Sequence, residues 1–412
     1  MRGSHARVGC LGAADREPAA SIRRTMVVSP IQIFDIGLVL LLAAGAGWLA
    51  RALSLPAVVG YLAVGLAISP FTPGYVAGRD ELAFLAEIGV VLLLFEVGIE
   101  IDVARLRREH GAIAWAAPLQ VVVTTGIGVA VFVAAGMPPL GAAFVALGIA
   151  MSSSVVIVNI TRSRRRTTDR PTEEAMLGWS IIQDITGVVI AVVLLAIAGA
   201  ADRPVPLALA GGAAFAAIAV AAALILPRIL RELADEHDLF LVVSVAAGLA
   251  VAGLGALIAG IPVALAAFVG GLAIVEGPEA AQVRTRLLPF RDLLAVLFFV
   301  LLGSLIEPAA LVRGLPWLAL IVALVVVAKG AVAAVLARIG RLPVQTIQLA
   351  VGLAQVGEFS FVLASAGLAI GALDGDRYAA VLGGVVLTIA GSTVLVRLVG
   401  GTRPAEAEPA PS

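Results

Sequence analysis

The sequence predicts an all-α, polytopic membrane protein of about thirteen transmembrane helices built as an inverted repeat. Three observations carry that prediction. Hydrophobic residues make up 61% of the 412 positions and charged residues 14%, against roughly 25% charged in ordinary soluble domains. Thirteen apolar runs suited to a hydrocarbon layer of about 30 Å follow one another, and the arginines sort onto alternate sides of them. Two of those runs, seven apart, are interrupted mid-span by small and polar residues.

The runs lie at 34–50, 56–70, 82–101, 112–135, 138–160, 174–200, 203–226, 238–258, 262–276, 289–306, 314–337, 344–370 and 377–397. With the N-terminus outside, the inside loops carry eighteen arginines, including Arg105, Arg107 and Arg108 after the third run and the group from Arg162 to Arg170 after the fifth. The outside loops carry four: Arg79, Arg203, Arg313 and Arg377. That asymmetry orients the chain by the positive-inside rule, and one missed or invented run between the ends would scramble it. It places the C-terminus on the cytoplasmic side of the membrane. Residues 1–25 spoil the pattern and lack the apolar core of a signal peptide, so they read as a disordered tail or leader. Residues 26–400 form the transmembrane domain, and the Pro/Ala/Glu stretch 401–412 reads as a disordered tail.

Composition also excludes several function classes. A formal net charge of zero gives no electrostatic footprint for nucleic acid. Cys10 is the single cysteine, which rules out an intrachain disulfide and a thiolate metal cage; His5, His110 and His237 lie in the tail or in loops. Neither a Walker-type phosphate loop nor a dinucleotide-binding glycine motif is present. The chain therefore reads as a carrier driven by ion gradients, without a cofactor, and not as an enzyme.

The fifth run, GIAMSSSVVIVNI, sets Ser152, Ser153 and Ser154 mid-span. The twelfth, AVGLAQVGEFSFVLASAG, sets Gly352, Gln355, Gly357, Glu358 and Ser360 there. An odd offset makes the two run in opposite directions, as corresponding members of inverted halves. Paired interrupted segments point to a transport site, because unwound backbone at membrane depth is tolerated only where protein or a cavity surrounds it. Ordinary close packing of small residues between helices is the plainer explanation of either segment alone.

Ionisable groups inside the apolar runs carry the chemistry. Asp184 lies mid-way along the sixth run, with Gln183 beside it. A desolvated carboxylate favours its neutral form and a neighbouring cation favours its charged form, so such a group is poised to hold either a proton or a metal ion. Gln183 and the hydroxyls of Ser152, Ser153 and Ser154 supply neutral oxygens for a dehydrated alkali cation. Lys329 is the chain's single lysine and sits within the eleventh run, LPWLALIVALVVVAKGAVAAVLA. A cation there costs about 2.5–3.5 kcal/mol on insertion scales, and a buried acid such as Asp184 offsets it. The pair either exchanges ions or forms a permanent bridge that pins helices. Glu358, beside the second interruption, either binds the ion or proton directly or complements a helix N-terminus. Glu96 and Glu100 read as helix-contact or interfacial residues, with Glu87 on another face of the same helix.

These residues resemble a known family. GYLAVGLAISP (60–70), EIGVVLLLFEVGIEID (87–102), AMSSSVVIV (150–158), SIIQDITGVV (180–189), ALAAFVGGLAI (264–274), PFRDLLAVLFFVLLGSLIEP (289–308), Lys329 and GLAQVGEFSFVLA (352–364) recur in the order seen in Kef-type members of the monovalent cation/proton antiporter-2 family. The resemblance spans about 34–397. It implies an exchanger with two crossed broken helices in a core domain, a dimerisation domain that forms a homodimer, and elevator-like movement. By resemblance, Asp184 is similar to the ion-binding and proton-exchanging acid, Gln183 to its partner, Ser153 and Ser154 to the broken-helix ligands, and Lys329 to the lysine paired with the acid. Sodium-preferring relatives often carry Asn-Asp or Asp-Asp where Gln183-Asp184 stands, which turns the expectation toward K⁺ over Na⁺. Kef-type systems also commonly carry a cytoplasmic nucleotide-binding regulatory domain after the last helix, a part that a separate subunit would have to supply to this chain. The rival readings are a gated cation channel and a non-transporting membrane sensor.

Overall fold

The computed structural model describes residues 30–53, 55–73, 79–100, 111–153, 156–157, 168–199, 205–261, 263–272, 278–357 and 359–400. Every regular element among them is helical. In chain order these are α1 (Pro30–Ala52), α2 (Ala57–Ala67), α3 (Arg79–Glu100), α4 (Ile113–Ala134), α5 (Pro139–Ala150), α6 (Arg170–Gly199), α7 (Val205–Glu232), α8 (His237–Leu254), α9 (Val263–Leu272), α10 (Pro278–Ser304), α11 (Pro308–Arg313), α12 (Leu315–Ile339), α13 (Thr346–Leu353), α14 (Phe359–Ala369) and α15 (Gly375–Gly400). Among the described residues nine helices are long and apolar enough to cross a membrane, and α2, α5, α9 and α14 are shorter apolar helices.

Backbone amides and carbonyls need internal partners in hydrocarbon, which is why these apolar runs become helices. The two interrupted runs behave differently. In the fifth, α5 ends at Ala150, Met151 to Ser153 are non-helical, and helix is regained at 156–157. In the twelfth, α13 ends at Leu353 and α14 starts at Phe359. Both breaks fall on the serine and glycine stretches that the sequence marked.

One expectation needs correction. Residues 277–288 read as an inside loop, but α10 begins at Pro278 and runs through Pro289 to Ser304. Hydropathy registers Gln282, Arg284 and Arg286 as loop-like, whereas alanine, glutamine, arginine and leucine are all good helix formers. Arg284 and Arg291 thereby stand on one helix and both reach Glu96 of α3, each at 2.6 Å.

The helices pack as two sets. In one, α3 lies along α9 and α10, α10 along α2, α2 against α1, and α8 against α9. Glycine allows the closest of these approaches: a Cβ on Gly98 would strike the Phe268 carbonyl, and one on Gly271 the Phe95 carbonyl. The other set joins α4, α5 and α6 to α12, α13, α14 and α15. It consists of two triplets of runs seven apart in the chain, each with a broken member, as an inverted repeat requires. Where the sets meet, the contact is aromatic and apolar: Phe268 is edge-on to Phe359 at 5.5 Å and Phe299 to Phe361 at 5.6 Å.

Candidate functional site at the crossing of two broken helices

Each break frees backbone groups that a continuous helix would have paired, and the two breaks satisfy one another. Gly357 N donates to Met151 O at 3.0 Å, and Ser152 Oγ donates to Leu353 O at 2.8 Å. Ser153 N donates to Gln355 Oε1, while Gln355 Nε2 donates to Ser153 O, both at 3.1 Å. Glycine is required at 357, because a Cβ there would lie 2.9 Å from the Ser152 carbonyl carbon. On the far side, Thr388 Oγ1 of α15 accepts from Val356 N at 3.2 Å and Ser392 Oγ donates to Val351 O at 2.9 Å.

Lys329 sits where α5 and α13 both end. Its Nζ donates to Met151 O at 2.8 Å and to Gln355 O at 2.6 Å, and the residue is fully buried. The carbonyl ends of two half-helices carry partial negative charge, and a cation there complements both dipoles at once. Lys329 is also the last residue of a π-helical stretch, Leu324–Lys329, within α12. Such stretches widen the helix locally and are frequent at functional sites.

Asp184 is only 4% exposed. The turn of α6 that bears it lies against the first break: Ser152 N donates to Gln183 Oε1 at 3.0 Å, and the Met151 side chain occupies the space that a Cβ on Gly187 would need. Its carboxylate is the charge that acts electrostatically on the Lys329 ammonium. Gln183 in turn donates through Nε2 to Gln120 Oε1 of α4.

The structure thus gathers Ser152, Ser153, Gln183, Asp184, Lys329 and Gln355 into one buried cluster. Ser154 and Glu358 lie outside the described residues. Two members hold positions that their sequence reading did not anticipate. The Gln183 carbonyl oxygen is occupied by a backbone amide, and Lys329 donates to main-chain carbonyls in addition to feeling Asp184. Glu96 stands apart, between Arg284 and Arg291. Among the described residues no three His, Cys, Asp or Glu side chains gather into a metal cluster. Among the described residues the donor set at the crossing is one carboxylate, Asp184, with neutral oxygens. Sequence reasoning passed over Gln120, Thr388 and Ser392; a glutamine in the apolar stretch WAAPLQVVVTTG was the available signal for the first.

A helical bundle with two opposed broken helices, a buried acid and a buried lysine at their crossing defines a secondary ion transporter. Comparison with known proteins specifies which. The chain matches the family described as sodium/hydrogen exchanger, transmembrane, over residues 38–399, and it belongs to that family of cation/proton antiporters. It is 30% identical over 380 residues to a protein of Escherichia coli (strain K12) named cation/proton antiporter YbaL, covering 87% of this chain and 67% of that one. The fold is similar to that of the sodium proton antiporter MjNhaP1 from Methanocaldococcus jannaschii at pH 8, with a TM-score of 0.70, 18% identity, and coverage of 90% of this chain and 98% of the other. A second MjNhaP1 structure, from electron microscopy, gives a TM-score of 0.62 at 17% identity, covering 92% and 100% of the two chains.

Proposed function

We propose that this antiporter exchanges K⁺ or Na⁺ for H⁺ at Asp184, whose carboxylate binds the proton and the cation alternately. The observation that carries the proposal is the burial of this one acid on the α6 turn that supports the first helix break. A carboxylate so desolvated stays ionised only with a counter-charge, so either a proton or a cation neutralises it. Each loaded form, protonated or cation-bound, permits reorientation of the set α4–α6 with α12–α15 against the apolar face of the other set. Lys329 offsets the charge of the empty carboxylate between loading events. In this reading Ser152 Oγ and Ser153 Oγ supply neutral oxygens to the cation, while Gln183 serves by holding Ser152 in place. The Gln183-Asp184 pair favours K⁺ over Na⁺ as the exchanged ion. The working form in this reading is a homodimer in a bacterial inner membrane, N-terminus outside, and a separate cytoplasmic nucleotide-binding subunit is a candidate regulator.

The test is proton release from acid-loaded proteoliposomes on separate addition of K⁺, Na⁺ and Li⁺. The parent protein is expected to dissipate the pH gradient with one or more of them, and Asp184→Asn with none. If Asp184→Asn behaves like the parent, the proposal is wrong.

A further inference from the structure

The mechanism above leaves the fully buried side chain of Gln120 unused. Gln120, on α4, is 0% exposed, and its amide makes all four of the hydrogen bonds this group is drawn to. Nε2 donates to Thr124 Oγ1 at 3.0 Å and to Ala150 O at 3.2 Å. Oε1 accepts from Trp179 Nε1 at 3.3 Å and from Gln183 Nε2. Ala150 is the last residue of α5, so its carbonyl is one of those a helix end leaves without an intrahelical partner. The amide therefore grips the first break twice: through Ala150 on one side, and through Gln183 and its bond to Ser152 N on the other.

We infer that Gln120 is a positioning residue of the transport site, setting the distance between the Gln183-Asp184 turn and the first helix break and thereby the affinity for the exchanged cation. This inference rests on Asp184 being that site. The physical argument is that every bond in the chain Thr124, Gln120, Gln183, Ser152 joins uncharged groups. None of these links titrates, so the frame is the same whether the neighbouring carboxylate carries a proton, a cation or neither. A buried amide with its full set of partners is also rigid, because rotating it would leave several polar groups unpaired.

The experiment uses the full-length protein in proteoliposomes and measures KM and maximal rate for whichever of K⁺ and Na⁺ drives exchange. Gln120→Leu is expected to raise KM roughly tenfold, the factor that one lost buried hydrogen bond supports, with a smaller change in maximal rate per folded protein. Thr124→Val, which removes one anchor of the amide but leaves its bond to Gln183, is the milder variant and should shift KM in the same direction by less. If Gln120 acts through Gln183, the double variant Gln120→Leu/Gln183→Leu is no worse than Gln183→Leu alone, since effects of coupled residues do not add. An unchanged KM in both Gln120→Leu and Thr124→Val, or additive effects in the double variant, would overturn the inference and leave helix packing as the role of Gln120. Asp184→Asn run alongside separates the two ideas: exchange surviving in that variant rejects the Asp184 reading itself, whereas its loss with an unchanged KM in Gln120→Leu rejects only the role of Gln120.

Discussion

Ser153 and Gln355, 202 positions apart in the chain, are joined by two reciprocal hydrogen bonds of 3.1 Å, the Ser153 amide and carbonyl meeting the carbonyl and amide of the Gln355 side chain. At the Ser153 amide this side chain thus substitutes for the backbone acceptor that a continuous helix would have offered. It does so across the two halves of the repeat. Replacing Gln355 by leucine orphans the Ser153 amide, at about 1–3 kcal/mol in a buried setting, while the Ser153 carbonyl still accepts from Ile157 N at 3.2 Å. Purified Gln355→Leu should unfold at a clearly lower temperature in detergent than the parent and lose exchange. Equal melting temperatures would mean that the pairing contributes nothing.

Lys329→Gln and Lys329→Met separate charge from hydrogen bonding. The lysine donates to Met151 O and Gln355 O, so both variants should destabilise the protein, methionine more than glutamine, since only the latter keeps N–H donors. Transport current per exchanged cation, recorded in the same vesicles, should be unaltered in any variant that still transports. A changed charge per cycle would show that Lys329 itself carries a proton.

Gly357→Ala places a methyl group 2.9 Å from the Ser152 carbonyl carbon. Main chain cannot swing away as a side-chain end can, so the crossing must open. Overpacking of this kind typically costs about 1–3 kcal/mol. Loss of exchange with retained helical circular dichroism is the expected result, and full activity would contradict the crossing geometry.

Competition at one carboxylate also fixes a pH signature. If protons and cations exclude each other at Asp184, as proposed above, apparent cation affinity falls as pH falls. In the range where the protonated form dominates, KM should rise by up to about tenfold per pH unit, while the maximal rate at saturating cation changes far less. A KM independent of pH across the active range would rule out a shared site.

Away from the site, Glu96 is 1% exposed and accepts from Arg284 and Arg291, which keep 39% and 19% of their side-chain surface. Glu96→Leu removes an acceptor from both arginines, although Arg291 keeps Asp292 at 2.6 Å, and is expected to cost about 1.5–3 kcal/mol, the range for hydrogen bonds to charged groups. Arg284→Leu removes a more solvated partner and should cost under about 1 kcal/mol. Thermal unfolding in detergent reads both values. The reverse order would place the strength of the cluster in Arg284.

The span order, the two interrupted runs, and the intramembrane acid and lysine were all legible in the amino-acid sequence. Each is a local property: apolar length, small residues in a row, or an ionisable group where hydrocarbon penalises it. The extent of α10 was misjudged for the same reason, since hydropathy weighs Arg284 and Arg286 as solvent-seeking and cannot see that Glu96 of α3 receives Arg284 together with Arg291. Partner choice belongs to the tertiary structure. Lys329 meets a carbonyl 178 positions away, and Gln120 is one amide in an apolar run until α4, α5 and α6 converge on it. Hydrogen bonds are short-ranged and directional, whereas the sequence signals measure only whether a group is out of place in lipid. The chain alone therefore determined which residues needed partners, and only the packed helices decided which atoms those partners are.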